Sequence, residues 1–238
     1  MEELFSSGYT QIKFIPYTTA HLVVLGVFFL LCAFLFLLDK LPKKYQTIFR
    51  YTLVIIMLLI EISWHINEWY FGYWKLKYGL PLHLCSVTLY MAIFSLARNN
   101  TFFYNFLFFL GICGAGPALF IPNTIYGFPH FRFWHFFIFH GGIILATLYM
   151  TVVEKNRPQL SSIIPIVITM NIYIALVGVI NFYLESNYLF LCENARGTSF
   201  LGPWPWHILG MEIMMITLFF VIYIPFFFTA TRKTNLNS

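Results

Sequence analysis

The chain has 238 residues, 60% of them hydrophobic and 10% charged, with a mean hydropathy of +0.76 and a formal net charge of +5. A soluble domain carries nearer one half apolar residues, so this composition excludes one and indicates an integral membrane protein. There is no Lys/Arg cluster with polar flanks and no Gly-rich nucleotide loop, so the positive charge is a topology signal and not a nucleic-acid footprint.

A helix needs roughly 20 apolar residues to cross about 30 Å of hydrocarbon. The first such run, 17–38, follows a fairly polar 1–16 without a basic n-region or cleavage site, and is expected to be an uncleaved anchor. The second, 51–71, carries Glu61, His65 and Glu68 at i, i+4 and i+7, one helical face, with Trp64 beside them. That face is expensive in lipid unless it lines a cavity. The third, 80–97, is the shortest and opens on the proline-led PLHLCSV. The fourth covers 102–121. The fifth, 133–153, has His140 followed by Gly141 and Gly142, small residues that let a neighbouring helix or a lipid chain approach the imidazole. The sixth, 161–183, ends near Asn181, and the seventh, 205–229, opens with His207 and Glu212. Loops are short and no linker marks a boundary, so residues 1–238 read as one domain, an all-α polytopic membrane bundle of seven helices.

An odd span count puts the termini on opposite sides. With the N-terminus outside, the inner face receives Lys40, Lys43, Lys44, Arg50, Arg98, Lys155, Arg157, Arg232 and Lys233. The outer face receives Lys13, Lys75, Lys77, Arg132 and Arg196, so the positive-inside rule favours N-out, C-in in a cell membrane. All seven histidines then fall toward the outer side. That asymmetry argues for a polar cavity open outward, whereas a transporter more often has stations on both sides of the midplane. His21 and His207 read as interface residues at span ends, His130 beside Arg132 as a headgroup contact, and Cys32 and Cys113 as packing residues. Cys192, in an outer loop, has no evident partner.

Cys85 lies within about a turn of Pro81, and a thiolate at a helix start is stabilised by unpaired amides and the dipole. His83, two residues away, is turned about 200° from it and is not its base through the same helix. His140 is the deep candidate base; His135, about 140° around that helix, is the alternative, and only one of the two faces Cys85. Glu61 could orient His65 or His140, or bond across spans. Oxyanion donors are helix-start amides, Asn67, Asn171 or Asn181. A zinc site needs three protein ligands, yet HExxH and HxxxH are both absent, and no cofactor motif is evident. Two rival classes remain: a small-molecule or proton-coupled transporter using Glu61, His65, Glu68 and Glu212, and a seven-span lipid hydrolase.

The strings LPLHLC (80–85), GFPHFRFWHFFIFHG (127–141), NYLFLCE (187–193) and LGPWPWHI (201–208) resemble the YwaF-type bacterial integral membrane proteins. That group is related to the eukaryotic transmembrane protein 164 acyltransferases and, more distantly, to androgen-induced-gene-type hydrolases of branched fatty-acid esters. The resemblance implies a bacterial plasma-membrane lipid transacylase with phospholipid and lysolipid as its partners. Cys85 would carry the acyl group as a thioester and His140 would be the base.

Overall fold

The computed structural model describes residues 2–8, 11–194 and 198–234, with 229–234 described by backbone alone. Arg196, counted above among the outer charges, lies outside the described residues, as do the side chains of Arg232 and Lys233. The architecture is helical; the one β feature among the described residues is an isolated bridge between Lys13 and Tyr126.

Two compact units divide the chain, one ending at Asn156 and the other beginning at Arg157. The first contains α1 (Glu2–Phe5), α2 (Thr19–Leu38), α3 (Lys43–Tyr70), α4 (Leu84–Arg98), α5 (Thr101–Phe120) and α6 (Phe131–Val152). The second contains α7 (Ile163–Leu184) and α8 (Trp206–Thr234). Among the described residues six helices are long and apolar enough to span a bilayer; α4, with 15 residues, is a shorter apolar helix. The expected third span begins at residue 80, whereas Leu80 to His83 are not helical and His83 is the N-cap. Pro81 therefore precedes the helix, and Cys85 is its second residue.

α6 is the central helix of the first unit: 67% of its span is buried, against 28% in α2 and 17% in α3. It packs against α2, α3, α4 and α5. Glycines let two of those neighbours approach. A Cβ at Gly142 would stand 3.2 Å from Met57 Cγ of α3, and one at Gly141 would stand 3.5 Å from Phe28 of α2. Helices, not lipid chains, thus fill the gap that the Gly pair opens.

At the end where α6 begins, the N-terminal segment is strapped to the 121–130 loop. The Phe14 amide donates to Ile125 O (2.9 Å) and that of Gly127 to Ile12 O (2.7 Å). Any side chain at Gly127 would meet Lys13 O at 2.6 Å, so this approach requires glycine. His21 is fully buried there, accepting from the Tyr17 amide at Nδ1 and donating from Nε2 to Leu119 O (2.9 Å). The interface reading of His21 is therefore corrected: it staples α2 to the end of α5. At the opposite end of the unit Glu154 accepts from Tyr149 (3.1 Å) and Asn99 (3.3 Å) and pairs with Arg50 (3.4 Å).

In the second unit Asn181 closes α7. It accepts from Ser186 Oγ (2.8 Å) and the Tyr188 amide (2.9 Å), and its Nδ2 donates to Tyr188 O (2.9 Å). His207 is buried and donates to Phe190 O (2.9 Å), so it too is a structural residue and not an interface one.

Candidate functional site

The first turn of α4 is open. The amides of Ser86 and Val87 turn back to His83 O, and among the described residues those of Leu84 and Cys85 have no backbone acceptor. Cys85 is half-buried and unoxidised. It faces α5: a Cβ on Gly114 would lie 3.9 Å from its Sγ and 3.6 Å from Leu84 Cδ2. His83 is drawn below the ordinary imidazole range by burial and, as the N-cap, lies off the face that carries Cys85.

The same helix registers His140. Gly111, one turn before Gly114, has Ile143 Cγ2 at 3.1 Å and Thr147 Oγ1 at 3.4 Å from its Cβ position. His140, Ile143 and Thr147 are spaced i, i+3 and i+7, one stripe of α6. α5 and α6 are consecutive and antiparallel, so one turn forward from Gly111 corresponds to one turn back from Ile143. Cys85 from α4 thus lies against Gly114 of α5, and the α6 stripe that carries His140 packs one turn earlier, at Gly111. The Gly114 turn follows a π segment, Leu107–Gly111, a local unwinding that re-aims the helix face.

Hydrogen bonds fix the histidine tautomers. His140 Nδ1 is 2.7 Å from Phe136 O, and a carbonyl only accepts, so Nδ1 carries the proton and Nε2 keeps its lone pair. His21, His130 and His207 are held in the opposite form, each with Nε2 on a backbone carbonyl. So is His65, whose Nδ1 accepts from Trp74 Nε1 at 3.1 Å. Of these five, His140 is the one whose Nε2 keeps its lone pair.

A second polar group lies on the α3 side of α6. Glu61 and Glu68 are buried, as expected for a face turned inward. Glu61 accepts from Tyr90 (3.1 Å) and faces His65 Nε2 (3.6 Å), so it orients His65; a backbone carbonyl orients His140. Glu68 pairs with Arg132 (3.6 Å) and accepts from Ser7 Oγ. His135 shares this side, its ring 6.1 Å from that of Trp64. His130, expected at headgroups, is buried and caps α6, accepting from the Arg132 amide (3.1 Å) and donating to Ser6 O (3.2 Å). Burial, aided by Arg132, draws it below the ordinary imidazole range against the opposing pull of Ser6 O and Glu68. Glu68, Trp64 and Arg132 line a cavity of about 160 Å³.

The amide oxyanion candidates are otherwise engaged. Asn67 Nδ2 donates to Phe5 O (2.9 Å), and Asn171 Nδ2 serves Val167 O (3.0 Å) and Glu212 (2.6 Å) within the second unit, where Asn181 caps α7. The amides of Leu84 and Cys85 remain. Among the described residues no three His, Cys, Asp or Glu side chains converge as metal ligands. Sequence reasoning passed over Gly114, Tyr90, Trp74 and Ser7; of these only Gly114 leaves a signal, in the glycine-rich GICGAG at 111–116.

No curated protein and no solved structure matches the chain. The TMEM164 family model matches residues 16–223, a range that takes in α2 to α7 whole and most of α8. The chain is a multi-pass membrane protein and belongs to the TMEM164 family.

Proposed function

We propose that the protein is a lipid transacylase of the cell membrane, moving a fatty acyl group from a phospholipid to a lysolipid through a thioester on Cys85. The arrangement on α5 supports this reading: a cysteine at a helix start lies against Gly114, an imidazole held with its Nε2 lone pair free lies on the α6 stripe that packs one turn earlier, and in the proposed site the two converge.

His140 Nε2 takes the Sγ proton, and the thiolate attacks the ester carbonyl carbon of a donor lipid. The oxyanion that forms is met by the amides of Leu84 and Cys85, donors already aimed before charge develops. The carbon–oxygen bond breaks, the departing lysolipid oxygen takes the proton from His140, and the acyl group remains as a thioester. In the second half a lysolipid hydroxyl gives its proton to His140 and attacks the thioester; the carbon–sulfur bond breaks and Sγ recovers the proton. Two moderate barriers replace one high one.

The test is intact-mass spectrometry of detergent-purified protein after incubation with phospholipid, beside Cys85→Ala and His140→Ala. The expected result is a hydroxylamine-sensitive acyl adduct that is absent from Cys85→Ala and forms at least 100-fold more slowly in His140→Ala, the scale of a lost general base. Phospholipid turnover that persists in Cys85→Ala sinks the reading.

A further inference from the structure

The cavity between α3 and the start of α6 is lined by Arg132 and Trp64, whose side-chain N–H groups make no hydrogen bond among the described residues. Arg132 is stacked over the rings of Trp64 (5.4 Å) and Tyr126 (5.6 Å), which fixes the plane of its guanidinium. Its contact with Glu68 is a single ion pair at 3.6 Å through Nη1, and among the described residues the guanidinium makes no hydrogen bond, which leaves most of its five N–H groups for a further acceptor. One further polar atom of a lining residue is buried without a partner among the described residues: Trp64 Nε1. Leaving a buried donor unpaired costs about 1–3 kcal/mol, and here the indole N–H stands beside an arginine that makes no hydrogen bond. Glu68, the one carboxylate lining the cavity, already serves Arg132 and the Ser7 hydroxyl. About 160 Å³ is the volume of roughly five waters. A compact group with several acceptor oxygens is what such a set of donors matches.

We propose that this cavity binds the phosphate of a phospholipid headgroup, with Arg132 as the bidentate donor and Trp64 Nε1 as the second donor. The assignment rests on the transacylase reading for its purpose and deepens it by naming what positions the substrate. Arg132 precedes His140 by eight residues on α6, roughly 12 Å of rise and 80° of turn. A lipid held by its phosphate at Arg132 runs its ester bonds down α6 toward His140, in the order phosphate, glycerol ester, acyl chain.

The experiment is isothermal titration of the full chain in maltoside micelles with dihexanoylphosphatidylethanolamine, dihexanoylglycerol (which lacks the phosphate) and inorganic phosphate. Phosphatidylethanolamine binding is expected to weaken at least tenfold in Arg132→Gln and severalfold in Trp64→Phe, and to strengthen in Glu68→Gln, which removes a repelling charge. Arg132→Lys, which keeps the charge and loses the fork, should fall between wild type and Arg132→Gln. Dihexanoylglycerol should respond to none of them. Equal binding by wild type and both Arg132 variants overturns the proposal, as does weaker binding in Glu68→Gln, the mark of a cation site. Arg132-dependent binding of inorganic phosphate with none of the phospholipid overturns the headgroup as its source. Binding is read without turnover. An acyl adduct on Cys85 without Arg132-dependent binding sinks this site alone, and such binding without an adduct sinks the transacylase reading alone.

Discussion

Gly114 tests the convergence of Cys85 and His140 directly. An alanine Cβ there lies 3.6 Å from Leu84 Cδ2 and 3.9 Å from Cys85 Sγ, ordinary contact distances. Gly114→Ala is therefore expected to fold and acylate normally, with a gain of about 0.5–1 kcal/mol from replacing glycine inside a helix. Valine adds methyls about 1.5 Å beyond the Cβ, which brings one of them well inside contact with Sγ or Leu84. Cys85 must then move by about an ångström. Overpacking of this kind costs about 1–3 kcal/mol of stability, but an ångström of misplacement at a reacting atom costs on the order of 100-fold in rate. The pair is assayed by adduct formation on Cys85 in a phospholipid micelle and by thermal unfolding of the same samples. A valine variant that acylates as fast as the alanine variant would refute the convergence, since Gly114 would then stand apart from the reacting atoms.

Glu61→Gln should lower the melting temperature through its lost pair with His65, yet leave Cys85 acylation within about threefold. Loss of all activity with the adduct still forming would favour a transport role for the Glu61 face. Glu154→Ala removes the acceptor shared by Arg50, Tyr149 and Asn99, with Arg50 and Glu154 only 18% and 16% exposed, and should cost about 2 kcal/mol in a denaturant titration. A change under about 0.5 kcal/mol would show that this clamp is dispensable. His130 gives a pH dependence with a definite sign. Its pKa is lowered in the folded chain, so below about pH 6.5 the unfolded chain binds the extra proton. The stability it confers is complete above that value and falls as pH drops toward the folded pKa. Melting temperature should therefore decline from pH 7.5 to 5.5, and less steeply in His130→Asn, where asparagine can keep the cap. Parallel slopes for the two proteins would remove His130 as the cause.

Much of the fold was legible because apolar run length is a direct physical requirement of spanning a bilayer, and six helices fall close to the runs. The exception, the third, was read too long because apolar composition continues through LPLHLC, while only the backbone reveals that the helix waits until Leu84. The i, i+4, i+7 spacing correctly turned Glu61 and Glu68 inward, since burial of a polar stripe is a one-helix argument. It could not reveal that Tyr90 and Arg132 are their partners, because those contacts cross between helices far apart in sequence.

The histidines show the same limit at atomic scale. In sequence seven imidazoles look alike, and depth alone ranked His140 first. What separates them is the partner of each ring nitrogen. His21 and His207 meet carbonyls at Nε2 and become staples, His130 becomes a helix cap, and His65 is pinned between Trp74 and Glu61. His140 alone of these turns Nδ1 to a backbone carbonyl, that of Phe136 in its own helix, which frees the outer nitrogen. The i−4 position of that carbonyl is set by the helix itself, so the tautomer needs no acidic partner, and the carboxylates of α3 are left to build the other side of α6. One helix can thereby serve two chemistries. The stripe of His140, Ile143 and Thr147 packs toward α5, while Arg132 lines the cavity against Trp64.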